Sequence, residues 1–115
     1  KTGYNSRLMG KYIRKTPIKE DCPMEKTLNI ISGKWKIALL CELNRGSCRL
    51  TELEKYNPEA SKRALTQQLK ELINDDIIKK KDFDTYPKKV VYSLTSKGKD
   101  LIPVLKVLGE FGEKL

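Results

Sequence analysis

Ser61-Lys62-Arg63-Ala64-Leu65-Thr66-Gln67-Gln68-Leu69-Lys70-Glu71-Leu72-Ile73 is the stretch whose reading decides the architecture of this chain. Leu65, Leu69, Leu72 and Ile73 recur at helical spacing, so one stripe of a helix is set to face a core. Ser61 stands where an N-cap belongs, with a hydroxyl able to accept from the unpaired N–H groups of the first turn. The opposite face displays Lys62, Arg63, Thr66, Gln67 and Lys70. Cations, a hydroxyl and an amide on a well-anchored helix can reach phosphates and base edges in a major groove. A solvated surface helix would carry the same residues, so the neighbouring segments decide between the two readings.

Upstream, Thr51-Glu52-Leu53-Glu54-Lys55-Tyr56 has the pattern of a short helix, and Asn57-Pro58-Glu59-Ala60 breaks it. Two helices across a short turn, the second exposing basic and amide side chains, predict a helix-turn-helix unit. Downstream of Asn74-Asp75-Asp76 the apolar period drops from about 3.6 residues to about 2. Residues 77–83 and 89–94 then read as two strands, joined by Asp84-Thr85-Tyr86-Pro87-Lys88. This hairpin is a wing, rich in Lys79, Lys80, Lys81, Lys88 and Lys89. Lysines also protect sheet edges from aggregation. Their density beside a candidate recognition helix favours phosphate contact. Ser47-Cys48-Arg49-Leu50 can add a third short strand, with Arg49 a further phosphate contact.

The remaining segments supply the frame. Asp21-Cys22-Pro23 opens a helix, with Pro23 in its first turn and Glu25 near the positive end of its dipole, and Ser32-Gly33 ends it. Cys22 falls at that helix cap, where free N–H groups favour a thiolate and Glu20, Asp21 and Glu25 oppose one. Residues 34–43 predict a second helix with Trp35, Ala38, Leu39 and Leu43 inward, and with Cys41 a buried, inert apolar residue. Cys48 is expected to be structural. Thr95-Ser96-Lys97-Gly98 caps a last helix carrying Leu101, Val104, Leu105, Leu108, Phe111 and Leu115. That stripe is broad for a small chain, so a second subunit is expected to cover part of it. Pro103 should bend or delay the helix. Lys1, Arg7, Lys11, Arg14, Lys15 and Lys19 mark residues 1–20 as a basic N-terminal extension to a domain spanning 21–115. The predicted fold is α+β, mainly helical: a winged helix-turn-helix with a two- to three-stranded wing sheet and terminal helices that dimerise.

Composition narrows the function. The 115 residues carry a formal charge of +9 with no histidine, which favours a polyanionic partner. Without histidine, no Ser/His or Cys/His nucleophilic pair can form, and no glycine-rich phosphate loop is present. The three cysteines lack the spacing of a zinc site. Neither an enzyme, nor a metal, nor a cofactor is expected. No apolar run spans a membrane and the N-terminal residues lack a signal-peptide core, so a cytoplasmic protein is expected. Double-stranded DNA is the first partner to consider. A winged helix docking an acidic protein would use the same charges, and RNA ranks lower because only Tyr86 and Tyr92 offer stacking surfaces.

Cys22-Pro23, Leu28-x-x-Ile31-x-Gly33-Lys34-Trp35, Leu65-Thr66-Gln67-Gln68-Leu69-Lys70-Glu71-Leu72 and Tyr92-Ser93-Leu94-Thr95-x-x-Gly98 together resemble the HxlR-type family of bacterial winged-helix transcriptional regulators. The resemblance runs from about residue 22 to the C-terminus. It implies a homodimer on pseudo-palindromic operator DNA, formed largely by the first and last helices. Leu28, Ile31, Leu101, Leu105, Leu108 and Phe111 are the interface residues it suggests. It also implies the helix from Ser61 in the major groove and the hairpin near the minor groove. Some members sense small electrophiles or oxidants through a cysteine at the position of Cys22. The basic extension departs from the shorter family pattern.

Overall fold

A computed structural model describes residues 22–115. The basic extension, and the boundary drawn after it, lie outside the described residues. The elements are α1 (Pro23–Ile31), α2 (Lys36–Arg45), α3 (Leu50–Tyr56), α4 (Lys62–Asn74), β1 (Ile78–Phe83), β2 (Lys89–Leu94) and α5 (Ser96–Gly112). Five helices and one antiparallel hairpin make this a mainly helical α+β winged helix-turn-helix.

Each boundary has a local cause. Pro23 opens α1, where its missing N–H costs nothing. Ser61 Oγ accepts from the Ala64 N–H at 3.0 Å and starts α4. Thr95 Oγ1 accepts from the Gly98 N–H at 3.0 Å and donates toward the carbonyls of Asp76 and Ile77, so one side chain both starts α5 and ties it to the foot of the wing. Gly98 is required at that joint, because an added Cβ would run into the Ile77 carbonyl oxygen. The helix runs from Ser96 through Pro103 without delay; Pro103 lies on its exposed side.

In the hairpin, Ile78 pairs with Leu94, Lys80 with Tyr92 and Asp82 with Val90 on one face. Lys79 with Ser93, Lys81 with Val91 and Phe83 with Lys89 form the other. Ile78, Tyr92 and Leu94 are buried, so the first face roots the wing in the core. The expected third strand is a single bridging residue: Cys48 and Tyr92 exchange backbone hydrogen bonds of 3.0 and 2.8 Å. Leu50 already belongs to α3, which leaves no length for a strand.

The core gathers Leu39, Leu40 and Leu43 of α2, Leu53 of α3, Leu65, Leu69 and Leu72 of α4, and Ile77 and Ile78. Truncating one such leucine to alanine costs about 2–5 kcal/mol. Two polar pairs are buried with it. Lys36 Nζ meets Glu71 Oε1 at 2.8 Å, with side chains 0% and 2% exposed, joining α2 to α4. Asn57 Nδ2 donates to both Glu42 oxygens at 2.9 and 3.2 Å and to the Leu53 carbonyl, fixing the helix-turn-helix corner to α2. Burial raises the Glu42 carboxyl above its usual value, against the opposing effects of Asn57 and Arg45.

Burial bears on three further expectations. Cys41 is exposed rather than buried, because residues 37, 41 and 45 line the outer side of α2 while 36, 39, 40 and 43 face inward. Trp35 precedes α2 as its N-cap and packs against the core as expected, though half-buried; Ala38 is also half-buried. Ile31, Leu101 and Leu105 are buried in this chain's own core, while Leu28, Leu108 and Phe111 remain exposed. Among the described residues, no helix is long and apolar enough to cross a membrane.

Candidate nucleic-acid interface

The face of α4 opposite its buried leucines exposes Lys62, Arg63, Thr66, Gln67 and Lys70, with Ser61 exposed at its cap. The helix is held from behind at several points. Besides the Lys36–Glu71 pair, Gln68 Oε1 accepts from the Trp35 N–H at 2.8 Å, so the segment between α1 and α2 is tied to the middle of α4. Thr66 Oγ1 donates to the Lys62 carbonyl at 2.8 Å, which leaves its oxygen lone pairs and methyl group for a partner. Gln67 Nε2 donates to Glu71 Oε2 at 3.1 Å. Lys62, Arg63 and Lys70 extend from a rigid base, which is what directed contact with base edges requires.

The wing adds charge of a different kind. Its outer face carries Lys79 and Lys81 from β1 and Lys89 from β2. Two of them approach the Phe83 ring, with the Lys81 ammonium 5.1 Å and the Lys89 ammonium 5.0 Å from its centroid. Both ammonium groups gain from the ring's negative face and lose freedom. Lys88 is instead 3.4 Å from Asp82, an exposed pair that a phosphate can displace at small cost. Tyr86, at the wing tip, is fully exposed. Arg49 is exposed at the N-cap of α3, and the Cys48–Tyr92 bridge sets it beside the root of the wing.

The Glu71 carboxylate that links Lys36 to Gln67, and Gln68, which holds the Trp35 amide, were not among the sequence candidates. Their signal was faint: Lys36 and Glu71 are charges of opposite sign placed within otherwise apolar stripes. Cys22 is a half-buried free thiol at the α1 N-cap with no side-chain capping bond. Cys48 is buried, and burial, followed by Glu52 and Glu42, holds its thiol above the usual value.

Apolar side chains are exposed as well. Met24 and Leu28 are exposed on α1, Val104, Val107, Leu108 and Phe111 on α5, and Leu115 beyond α5. Exposed apolar side chains in such number mark an interaction surface.

Comparison with known proteins agrees with this geometry. The description of the HxlR-like helix-turn-helix family matches residues 30–115. The chain is 45% identical over 95 residues to YdeP of Bacillus subtilis strain 168, named an uncharacterised HTH-type transcriptional regulator, with 83% of this chain and 74% of that protein covered. Its fold is similar to that of the redox regulator HypR in its reduced form, with a TM-score of 0.77 at 39% identity over 81% of this chain and 92% of that one. It is also similar to the reduced transcriptional regulator YodB of B. subtilis, with a TM-score of 0.75 at 28% identity over 82% and 93%. A winged helix-turn-helix with a rigidly held basic helix, matched along most of its length, identifies this chain as a transcriptional regulator belonging to the HxlR-like helix-turn-helix family.

Proposed function

We propose that this regulator binds a pseudo-palindromic operator as a homodimer and reads its sequence through α4. The observation that carries the reading is the division of α4 itself. Leu65, Leu69, Leu72 and Glu71 are buried, while Ser61, Lys62, Arg63, Thr66, Gln67 and Lys70 are all exposed beside a lysine-faced wing. Lys62, Arg63, Thr66 and Gln67 are nearest the bases. Arg49, Lys79, Lys81, Lys88 and Lys89 contact phosphates. The exposed apolar residues of α1 and α5 meet their counterparts in a second copy, as a self-complementary interface requires. Leu28, Leu108 and Phe111 belong to that interface; Ile31, Leu101 and Leu105 support it from the core behind.

Binding to a duplex from upstream of the protein's own gene, compared with random duplex by fluorescence anisotropy, tests the reading. The expected result is tighter binding to the upstream duplex. Arg63→Ala should erase most of the difference, and light scattering should return a dimer that Leu108→Glu dissociates. Equal affinity for both duplexes from a panel of upstream and neighbouring regions would remove sequence-specific regulation and leave a basic face for an acidic protein partner.

A thiol response is favoured by a separate observation: Cys22 is a half-buried free thiol on the helix that also carries exposed Met24 and Leu28. The solved relative HypR is named a redox regulator. An oxidant such as diamide takes two electrons and two protons from a pair of thiols and leaves a disulfide. At the subunit interface, a change at Cys22 alters how the two α4 helices are spaced. Oxidant-dependent binding that vanishes in Cys22→Ser supports this; binding indifferent to oxidant discards the thiol response and keeps the regulator.

A further inference from the structure

We propose that Glu71 is the positioning residue that sets which base Gln67 prefers, although Glu71 lies beneath the surface that meets DNA. This rests on the reading of α4 as the base-contacting helix. Glu71 is 2% exposed and Lys36 0%, and their 2.8 Å contact occupies Glu71 Oε1. Glu71 Oε2 accepts from Gln67 Nε2 at 3.1 Å. A carboxylate facing an ammonium accepts hydrogen bonds and donates none, so the nitrogen side of the Gln67 amide must face it.

The two amide hydrogens are not equivalent. One lies on the same side as the carbonyl oxygen and the other opposite it. Donating the first to Glu71 would bring Gln67 Oε1 against the same carboxylate, so the second serves. What remains facing away from the buried Glu71, on an exposed residue, is Oε1 beside one N–H. That edge pairs with adenine, whose major-groove side offers an N6–H donor next to the N7 acceptor. Without Glu71 the carboxamide turns freely, and part of the binding free energy goes into ordering it. A lysine on α2 thereby sets, through two side chains, the polarity of a base contact on α4.

Removing Glu71 alone strands the buried Lys36 charge and can unfold the protein, so the informative variant replaces both partners. Lys36→Met with Glu71→Met keeps volume while removing the acceptor, and swaps of this kind are often tolerated. Wild type, Gln67→Ala, the paired methionine variant and their combination are each used to select from a randomised duplex pool. Thermal melting and affinity for random duplex control for folding. Wild type should favour adenine at one position per half-site, and Gln67→Ala should lose that preference roughly ten-fold, within the range of a bidentate base contact. The methionine variant should lose the same preference at the same position and keep the others, and adding Gln67→Ala should cost nothing more. A methionine variant that keeps the wild-type preference, or weakens all positions evenly, overturns the proposal. So does Gln67→Ala with no change at any position. A wild type that enriches no sequence overturns the regulator reading as well, which separates the two failures.

Discussion

The two cationic surfaces of this molecule are built differently, and the difference suits the two kinds of contact proposed for them. Helix α4 is fixed from behind by Lys36–Glu71, by Gln68 on the Trp35 amide and by three buried leucines. Among the described residues, the outer face of the wing has no such backing, with Lys79, Lys81 and Lys89 all exposed. Its lysines stand on a two-stranded ribbon, with Lys81 and Lys89 gathered around the Phe83 ring. A base edge must be met within a narrow geometry, whereas a phosphate accepts a cation from many directions. The fixed helix fits the proposed base contacts, and the lysine-rich wing fits the proposed phosphate contacts.

The largest effect should come from breaking the fixed surface. Glu71→Ala leaves the Lys36 ammonium buried without its carboxylate and should cost about 3–5 kcal/mol, read by urea denaturation. A loss below about 1 kcal/mol would mean that α4 is not held by this pair. Next is Arg63→Ala, which should remove about 1–3 kcal/mol of discrimination between operator and random duplex. Lys81→Ala should instead weaken both duplexes alike and reduce the salt slope by about one charge. Equal behaviour of the two variants would erase the contrast between helix and wing.

Ser61→Ala removes the cap of α4 and should destabilise by about 1 kcal/mol, visible as a lower melting temperature. Phe83→Leu is the smallest change. It keeps the charges, so the salt slope should stay while affinity falls by about 0.5–1 kcal/mol, the worth of an exposed cation–π contact. A changed slope would show that the ring affects how many lysines reach phosphates.

Acidity tests the buried corner behind α4. Glu42 has an ordinary value of 4.5 and is raised in the fold, chiefly by burial. A raised carboxyl contributes stability that is fully present below the unfolded value and is lost as pH rises through the folded one. Glu42→Gln keeps an oxygen for Asn57 and removes this loss. Its stability relative to wild type should therefore improve from acid toward neutral pH in denaturation curves measured across that range. Parallel curves would show that the Glu42 charge is not strained.

Much of the fold could be read locally. The spacing of Leu65, Leu69 and Leu72, the caps at Ser61 and Thr95, Pro23 at the start of α1 and the change of period after Asp76 each act within a few residues. Local chain statistics are enough to express them. The partition of apolar stripes was not legible. In residues 37–43, Ile-Ala-Leu-Leu-Cys-Glu-Leu, apolar residues occur on most sides, so nothing in the segment marks Cys41 as outward. The broad stripe of α5 was visible, but Leu101 and Leu105 turn to the chain's own core while Val104, Val107, Leu108 and Phe111 stay exposed.

The sequence by itself determined the order of elements, the basic outer face of α4 and the excess of lysine on the wing, because periodicity, capping and charge are properties of neighbouring residues. Only the tertiary structure decided that Lys36 would find Glu71, that Asn57 would hold Glu42 and that Phe83 would collect two lysines. The first two join residues from separate elements, and Phe83 meets Lys89 from the other strand as well as Lys81 from its own; a buried charge reveals its partner only when packing has removed the water that would otherwise solvate both.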